Sequence, residues 1–238
     1  MAPIALTIVG STGLTGAAAL AALLNSPTSF AITALSRRAD AQAPSTNSTF
    51  TNRVEPDLAA VASAAEPLVP AGGVYITALG TTRAQAGGVA QQEAIDLTLN
   101  RELATRAKKD GASTIIVVSS AGADAHSYFA YPRIKGQLEE DVKALGFERT
   151  VILRPATLLY AGHRPEKRTA EGWFVGLIKG ARAIGLPTGA LGIDVEDVGA
   201  AIAQIAANPP DGVSTLYDHD LVKLAAEFRA SKAAAEGK

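Results

Sequence analysis

The sequence contains no cysteine, which excludes disulfide bonds, a thiolate nucleophile and cysteine-ligated metals. Its three histidines, His126, His163 and His219, are scattered without metal-ligand spacing, so we predict no metal site and assign them to the surface or to loops. No apolar run approaches the ~20 residues of a transmembrane helix, and we expect no integral membrane segment. The first predicted strand begins at Ile4, so we also expect no cleavable presequence.

The chain also lacks an excess of charge of either sign. Its formal net charge is −1, so no long-range field attracts nucleic acid, and we expect no nucleic-acid partner. Hydrophobic residues make up 47% of the 238 residues, which is enough for a sizeable buried core. Without internal repeats or a low-complexity linker, we predict one domain that spans residues 1–238.

The most informative stretch is IALTIVGSTGLTG, residues 4–16. Residues 4–9 are a short apolar run that predicts a buried strand, and the Ala/Leu-rich residues 17–24 predict a helix. Glycines between a strand and a helix allow a tight turn, close approach of backbone to a pyrophosphate, and close packing of the helix. The helix N-terminus offers N–H groups to the anion, and nearby hydroxyls add donors. We therefore predict a dinucleotide site, with a plain turn as the alternative, at Gly10, Ser11, Thr12, Gly13, Leu14, Thr15 and Gly16.

Two arginines follow the second predicted strand, residues 30–35. Dinucleotide-binding folds place the residue that recognises the adenosine ribose at this position. An acidic residue would bind the ribose 2′-hydroxyl, whereas Arg37 and Arg38 can bind a 2′-phosphate. The alternative is an arginine pair on a solvated loop. Their position favours NADP(H) as the cofactor.

Strands and helices alternate along the rest of the chain. We predict further strands at 49–54, 73–79, 113–118, 150–153 and 214–217, and helices at 57–65, 91–109, 131–145, 195–207 and 218–234. This alternation predicts an α/β fold, a Rossmann-type doubly wound and mainly parallel sheet with helices on both faces. We expect residues 158–192 and the C-terminal segment to form a small substrate lobe, and residues 83–88 to be a mobile cover of the site.

Ligands of such sheets bind beyond the carboxyl ends of the strands, where Gly80, Ser119, Ser120 and Arg154 are all predicted to lie. On the predicted helix 91–109, Asp96 and Asn100 lie one turn apart, so both can face the same way. A serine at the end of strand 113–118 can polarise a substrate carbonyl.

Tyr131 and Lys135 lie four residues apart at the start of a predicted helix, so their side chains share a face. An ammonium beside a tyrosine lowers the pKa of the phenol, which can then act as a general acid or base near neutral pH. The alternative is a surface pair that arose by chance. The preceding serine-ended strand and the glycines upstream favour the catalytic interpretation.

The segments GSTGLTG, VVSSAGA, YPRIK and LRPA together resemble the atypical branch of the short-chain dehydrogenase/reductase superfamily. The run IDLTLNRELA, followed by SSAGA, YxxxKGxLE and RPATLL, is similar more narrowly to the Tat-interacting-protein-like oxidoreductases. Among these, the fungal members described as mitochondrial outer-membrane proteins are the most similar. The resemblance extends from residue 4 to about residue 224.

This resemblance implies an NADP(H)-dependent oxidoreductase that acts on a small carbonyl or alcohol. It implies that Tyr131 is the general acid/base, and that Lys135 binds the nicotinamide ribose and lowers the pKa of the tyrosine. Ser120, with Ser119 as its rival, would orient the carbonyl. The implied cofactor contacts include residues 10–16, Tyr131 and Lys135. The others are Arg37, Arg38, Leu79, Gly80, Ser119, Leu158 and one of the pair Arg164 and Arg168, with Arg168 preferred.

Two positions depart from the family pattern. Ala156 replaces the glycine that usually follows Arg-Pro, and we expect its methyl group to narrow the space beside the nicotinamide. Asp96 stands where many extended relatives have asparagine. Two other functions stay open: an NADP(H)-binding regulatory protein, and an isomerase or cyclase that uses the same site without net redox change. The resemblance further implies a monomer or homodimer that is cytoplasmic, with peripheral association at the mitochondrial outer membrane as the alternative.

Overall fold

The computed structural model describes residues 2–39, 47–160 and 192–237. The strands are β1 Ile4–Val9, β2 Phe30–Ser36, β3 Thr49–Val54, β4 Val74–Thr77, β5 Thr114–Val118, β6 Arg149–Arg154, β7 Leu158–Leu159, β8 Ile193–Asp194 and β9 Gly212–Tyr217. The helices are α1 Leu14–Leu24, α2 Leu58–Val61, α3 Arg83–Ala86, α4 Val89–Glu93, α5 Asn100–Lys109, α6 Ala130–Ala144, α7 Val195–Ala207 and α8 Asp218–Glu236. A π-helical segment, Ala94–Leu99, joins α4 to α5.

Within the described residues, seven strands form one parallel sheet in the order β3-β2-β1-β4-β5-β6-β9. The order 3-2-1-4-5-6 is that of a dinucleotide-binding Rossmann fold, and β9 extends it at one edge. The chain reverses its direction of winding at β1, which pairs with β2 on one side and β4 on the other. The predicted doubly wound sheet is confirmed, and its ligand crevice lies beyond the carboxyl end of β1.

Two apolar clusters cover the two faces of the sheet. One includes Leu20 of α1 and Val198 of α7, and the other includes Leu103 of α5 and Leu138 of α6. Adjacent residues of a strand point to opposite faces, and accordingly Ile116 of β5 joins the first cluster while its neighbour Ile115 joins the second. The central strands are buried on both sides because helices cover both faces.

The stretch predicted as the helix 91–109 is helical throughout, and within it the segment Ala94–Leu99 is π-helical rather than α-helical. The Asn100 side chain donates to the backbone carbonyls of Ile95 and Asp96, at 3.3 and 3.2 Å, and so binds carbonyls of this wider turn. Asp96 and Asn100, predicted to face the same way, are both fully buried.

Other boundaries differ by a few residues. Helix α1 begins at Leu14 rather than 17, and the helix predicted over 57–65 shortens to α2, whose N-cap Asp57 accepts the N–H of Ala59. Residues 83–88, expected to be mobile, contain the short helix α3, which ends at Gly87. Most of the predicted lobe, residues 161–191, lies outside the described residues, and the C-terminal segment adds β9 to the main sheet and α8 to the helices beside it.

Candidate active site

The glycine turn, residues 10–16, connects β1 to α1 at the carboxyl edge of the sheet. Gly10 has φ +85°, and a Cβ there would lie 2.6 Å from the backbone carbon of Ala78, so both conformation and space require glycine. A Cβ on Gly16 would lie 2.0 Å from the carbonyl oxygen of Gly10, which α1 therefore approaches closely. The turn thus brings the start of α1 against the backbone that leaves β1 and β4.

The start of α1 has the properties of an anion site. Its N-cap is Gly13, no side chain caps the helix, and no acidic residue lies in its first turn. The fully buried hydroxyl of Ser11 has no hydrogen-bond partner among the described residues, and Thr12 is exposed at the same turn. These donors and the positive end of the helix fit the pyrophosphate of a dinucleotide.

Arg37 and Arg38 lie directly beyond β2, and both are exposed. The Ser36 hydroxyl donates to the backbone carbonyl of Arg38 and fixes the course of the chain there. Neither guanidinium forms an ion pair within the part of the chain that the structure describes. Both guanidinium groups are thus exposed at the place where the sequence predicts contact with a 2′-phosphate.

A buried polar network fixes the chain where it leaves β4. The Asn100 amide oxygen accepts from the Thr77 hydroxyl at 2.5 Å, and its nitrogen donates to the carbonyl of Leu79 at 3.2 Å. The side chains of α5 and β4 thereby hold Leu79 half-buried and leave Gly80 exposed at the carboxyl edge. This backbone lies beside the glycine turn, because Leu79 N is among the atoms nearest to the position of a Gly10 Cβ.

Lys135 and Asp96 lie beneath Gly80. A Cβ on Gly80 would lie 3.6 Å from Lys135 Nζ and 3.8 Å from Asp96 Oδ2. Lys135 is 5% exposed, and its ammonium donates to the carbonyl of Val118 at 3.5 Å. Burial raises the pKa of the Asp96 carboxyl, while the positive charge of Lys135 and the N–H of Thr81 act in the opposite direction. A buried carboxyl and a buried ammonium therefore lie on the same side of Gly80.

Tyr131 lies in the first turn of α6, one turn before Lys135, and is 44% exposed. Its phenol and the Lys135 ammonium thus lie on one face of α6, with the phenol towards solvent. Ser120, just beyond β5, is half-buried, and its hydroxyl has no partner among the described residues. These three side chains come from the end of β5 and from the helix that follows it.

Ser119 differs from Ser120, because its hydroxyl donates to Glu139 of α6. Glu139 is 1% exposed and also accepts from Arg154, at 3.0 Å to Nε and 2.7 Å to Nη2. Arg154 in turn donates to the Tyr217 hydroxyl at 3.2 Å, and the Glu139 carboxylate raises the pKa of this guanidinium. The Ser119 hydroxyl and Arg154 are therefore engaged in joining β5, β6, β9 and α6.

The sequence indicated some of these positions and missed others. Glu139 appeared only as the last letter of a motif, and its distance from Ser119 in the chain gave no signal of contact. Of the remaining predicted site residues, Leu158 is half-buried in β7, which pairs with β8, while Arg164 and Arg168 lie outside the described residues. In the described ranges, no three potential metal ligands cluster, and no helix is both long and apolar enough to cross a bilayer.

Comparison with known proteins identifies the family. A family model described as NAD(P)H-binding matches residues 10–209. "Protein fmp52, mitochondrial" of Aspergillus fumigatus is 45% identical over 167 residues, which cover 69% of this chain and 70% of that protein. "Protein FMP52, mitochondrial" of Candida albicans is 36% identical over 236 residues, which cover 92% of this chain and 96% of that protein.

Solved structures share the fold at low sequence identity. "MoeE5 in complex with UDP-glucose and NAD" has a TM-score of 0.63 at 15% identity, over 94% of this chain and 82% of that one. A "putative NAD-dependent epimerase/dehydratase from Bacillus halodurans" has a TM-score of 0.62 at 19% identity, over 93% of this chain and 98% of that one. The chain therefore belongs to the NAD(P)H-binding family, as an atypical short-chain dehydrogenase/reductase related to the fungal mitochondrial Fmp52 proteins.

Proposed function

We propose that the protein is an NADP(H)-dependent oxidoreductase that interconverts a small carbonyl compound and its alcohol. The observation that carries this proposal is the Tyr131–Lys135 pair: an exposed phenol and a buried ammonium, one turn apart on α6. A protein that only senses its cofactor does not need such a pair, so it favours catalysis over a regulatory role. Exposed Arg37 and Arg38 at the end of β2 support NADP(H) over NAD.

The cofactor supplies or accepts the hydride when it is bound. The backbone N–H groups of the glycine turn would hold its pyrophosphate, Leu79 and Gly80 would contact the adenosine and its ribose, and Leu158 would contact the nicotinamide. The ammonium of Lys135 binds the nicotinamide ribose.

Side chains of the protein carry out the proton transfer. The Tyr131 hydroxyl exchanges a proton with the substrate oxygen, with the Lys135 ammonium one turn away on the same helix. Ser120 donates a hydrogen bond to the same oxygen, for which its hydroxyl is free, whereas that of Ser119 is engaged by Glu139.

The test is Tyr131→Phe, which removes one hydroxyl and keeps the ring. We expect kcat to fall by about 10²–10⁴-fold, the usual contribution of a general acid or base, while the affinity for NADPH stays unchanged. NADPH consumption with a panel of small aldehydes and ketones measures turnover, and fluorescence titration measures cofactor binding. The matched control is Tyr128→Phe, three residues away and fully exposed, which should change neither quantity.

Two outcomes would contradict the proposal. If Tyr131→Phe turns over at the unmodified rate, this tyrosine is not the acid/base, and the regulatory role becomes the better hypothesis. If product forms without net consumption of NADPH, the site performs an isomerisation or cyclisation.

For location, we propose a cytoplasmic protein that associates peripherally with the mitochondrial outer membrane. The names of the relatives, which call them mitochondrial, support an association with this organelle. Washing membranes with alkaline carbonate should release the protein, and retention in the pellet would contradict peripheral association.

A further inference from the structure

Asp96 is a fully buried acid that the proton step described above does not use. Its Oδ1 accepts the backbone N–H of Thr81 at 2.7 Å, whereas Oδ2 is buried without a hydrogen-bond partner among the described residues. Beneath Gly80, Lys135 makes one long hydrogen bond to the described residues, at 3.5 Å, out of the three that an ammonium can donate. Both groups therefore retain unused hydrogen-bonding capacity at the same place.

The position of Gly80 leaves this place open. A Cβ there would lie in ordinary contact with both charged groups, at 3.6 Å from Lys135 Nζ and 3.8 Å from Asp96 Oδ2. Gly80 is exposed at the carboxyl edge, where ligands of this fold bind. A ligand that contacts the Gly80 backbone at this edge therefore lies close to both charged groups.

The surroundings of Asp96 make its ionisation sensitive to a neighbouring charge. Thr81, after β4, donates its N–H to Asp96, and Gln92, on α4, is a polar neighbour that donates to the Thr81 carbonyl; neither side chain titrates. Lys135, on α6, is the charged group that faces it within the described residues. Burial raises the pKa of Asp96 and Lys135 opposes that shift, so a second positive charge should lower the pKa further.

We propose that the ionisation of Asp96 is coupled to the charge of the bound nicotinamide. This proposal rests on the proposed function, because it requires Lys135 to lie beside the nicotinamide ribose. The oxidised ring carries a positive charge and the reduced ring is neutral. The oxidised cofactor therefore binds more tightly when Asp96 is ionised, and the reduced form is insensitive to it.

The test needs no substrate. Dissociation constants of the oxidised and reduced cofactor are measured on the full chain from about pH 5 to 8, a range that begins just above the ordinary carboxyl pKa. The ratio of the two constants is the readout, because the 2′-phosphate titrates in both forms and its effect cancels. We expect the ratio to move about tenfold towards the oxidised form as the pH rises, which corresponds to a difference of about one pKa unit between the two complexes.

Proton counting gives a second readout. Calorimetry in two buffers of different ionisation enthalpy reports the protons released on binding. On the acid side of the range, the oxidised cofactor should release more protons than the reduced cofactor. Equal proton release by the two forms would overturn the coupling.

Four variants assign the effect to Asp96. Asp96→Asn keeps an acceptor for Thr81 and should give a ratio that does not change with pH. Lys135→Met removes the compensating charge and should move the change in ratio to higher pH, which a merely structural role of Asp96 would not do. Two controls should keep the wild-type slope: Tyr131→Phe, which excludes the phenol, and Asp110→Asn, which removes a mostly buried acid paired with Arg106 at the opposite edge of the sheet.

The outcomes separate this proposal from the proposed function. A ratio that is flat in the wild-type protein, or a slope that survives in Asp96→Asn, overturns the coupling and leaves the role of Tyr131 intact. If Asp96→Asn does not fold, the direction of the shift in Lys135→Met decides. Binding of neither cofactor form would overturn both proposals, and equal affinity for NADPH and NADH would overturn only the cofactor preference.

Discussion

Glu139 should be among the most sensitive positions for stability outside the apolar core. Its carboxylate is 1% exposed and accepts from the Ser119 hydroxyl and from two nitrogens of Arg154. Glu139→Ala removes all of these bonds, and removal of one partner of a buried ion pair typically costs about 3–5 kcal/mol. Arg154 is 21% exposed and keeps its bond to Tyr217, so we expect a loss at the lower end, about 3 kcal/mol. For a chain of this size, that loss lowers the Tm by about 6–12 °C.

Urea and thermal unfolding of matched variants measure this loss. The control is Glu140→Ala, the next residue of α6, which is mostly exposed and pairs with Lys143 at 2.9 Å. An exposed pair of this kind contributes about 0–0.5 kcal/mol. Replacing both partners, as in Glu139→Leu with Arg154→Met, leaves no unpaired charge and should recover much of the stability. If the Tm of Glu139→Ala lies within about 1 °C of the Tm of Glu140→Ala, the buried pair of Glu139 and Arg154 does not stabilise the fold by the predicted amount.

Three further predictions concern the crevice. In fluorescence titrations NADPH should bind more tightly than NADH, and Arg37→Ala with Arg38→Ala should abolish most of this preference; equal affinities in the unmodified protein would contradict it. Gly10→Ala should abolish cofactor binding and lower the Tm strongly. Gly212 also has a positive φ but has open space around it, so Gly212→Ala should lower the free energy of unfolding by only about 1 kcal/mol. Similar losses of stability in the two variants would show that backbone strain alone accounts for the effect. Ser120→Ala should lower kcat and leave cofactor affinity unchanged, and an unchanged kcat would remove it from the proton step.

The fold could be predicted because its signals are local. The apolar run 4–9 followed by glycines, and the continuous apolar run in β5, each carry the pattern of a buried parallel strand within a few residues. The π-helical segment Ala94–Leu99 could not be predicted in this way. Asn100, directly after this segment, forms hydrogen bonds with Thr77 and Leu79, which are distant in sequence, and such contacts leave no local signal.

The contents of the crevice could be predicted less fully than its location. The order of strands places Gly80, Ser120 and Lys135 at one edge, because the carboxyl ends of parallel strands meet there. The choice between Ser119 and Ser120 was left open, because two adjacent serines after a strand are equivalent in sequence. Their difference arises from a tertiary contact with α6, which only the Ser119 hydroxyl makes within the described part of the chain.

The two buried acids near this edge, Glu139 and Asp96, differ in their hydrogen bonds. From this difference we expect Glu139 to contribute to stability and Asp96 to cofactor binding. Glu139 receives three donors from side chains and an opposite charge in direct contact, which offsets the cost of its burial. Among the described residues, Asp96 Oδ2 has no hydrogen-bond partner, and Lys135 influences Asp96 by its charge without a direct ion pair. Burial of a carboxylate oxygen without a hydrogen bond lowers the stability of the fold, unless a ligand donates a hydrogen bond to that oxygen. Asp96→Asn should therefore change cofactor binding more than it changes the Tm, whereas Glu139→Gln should do the reverse.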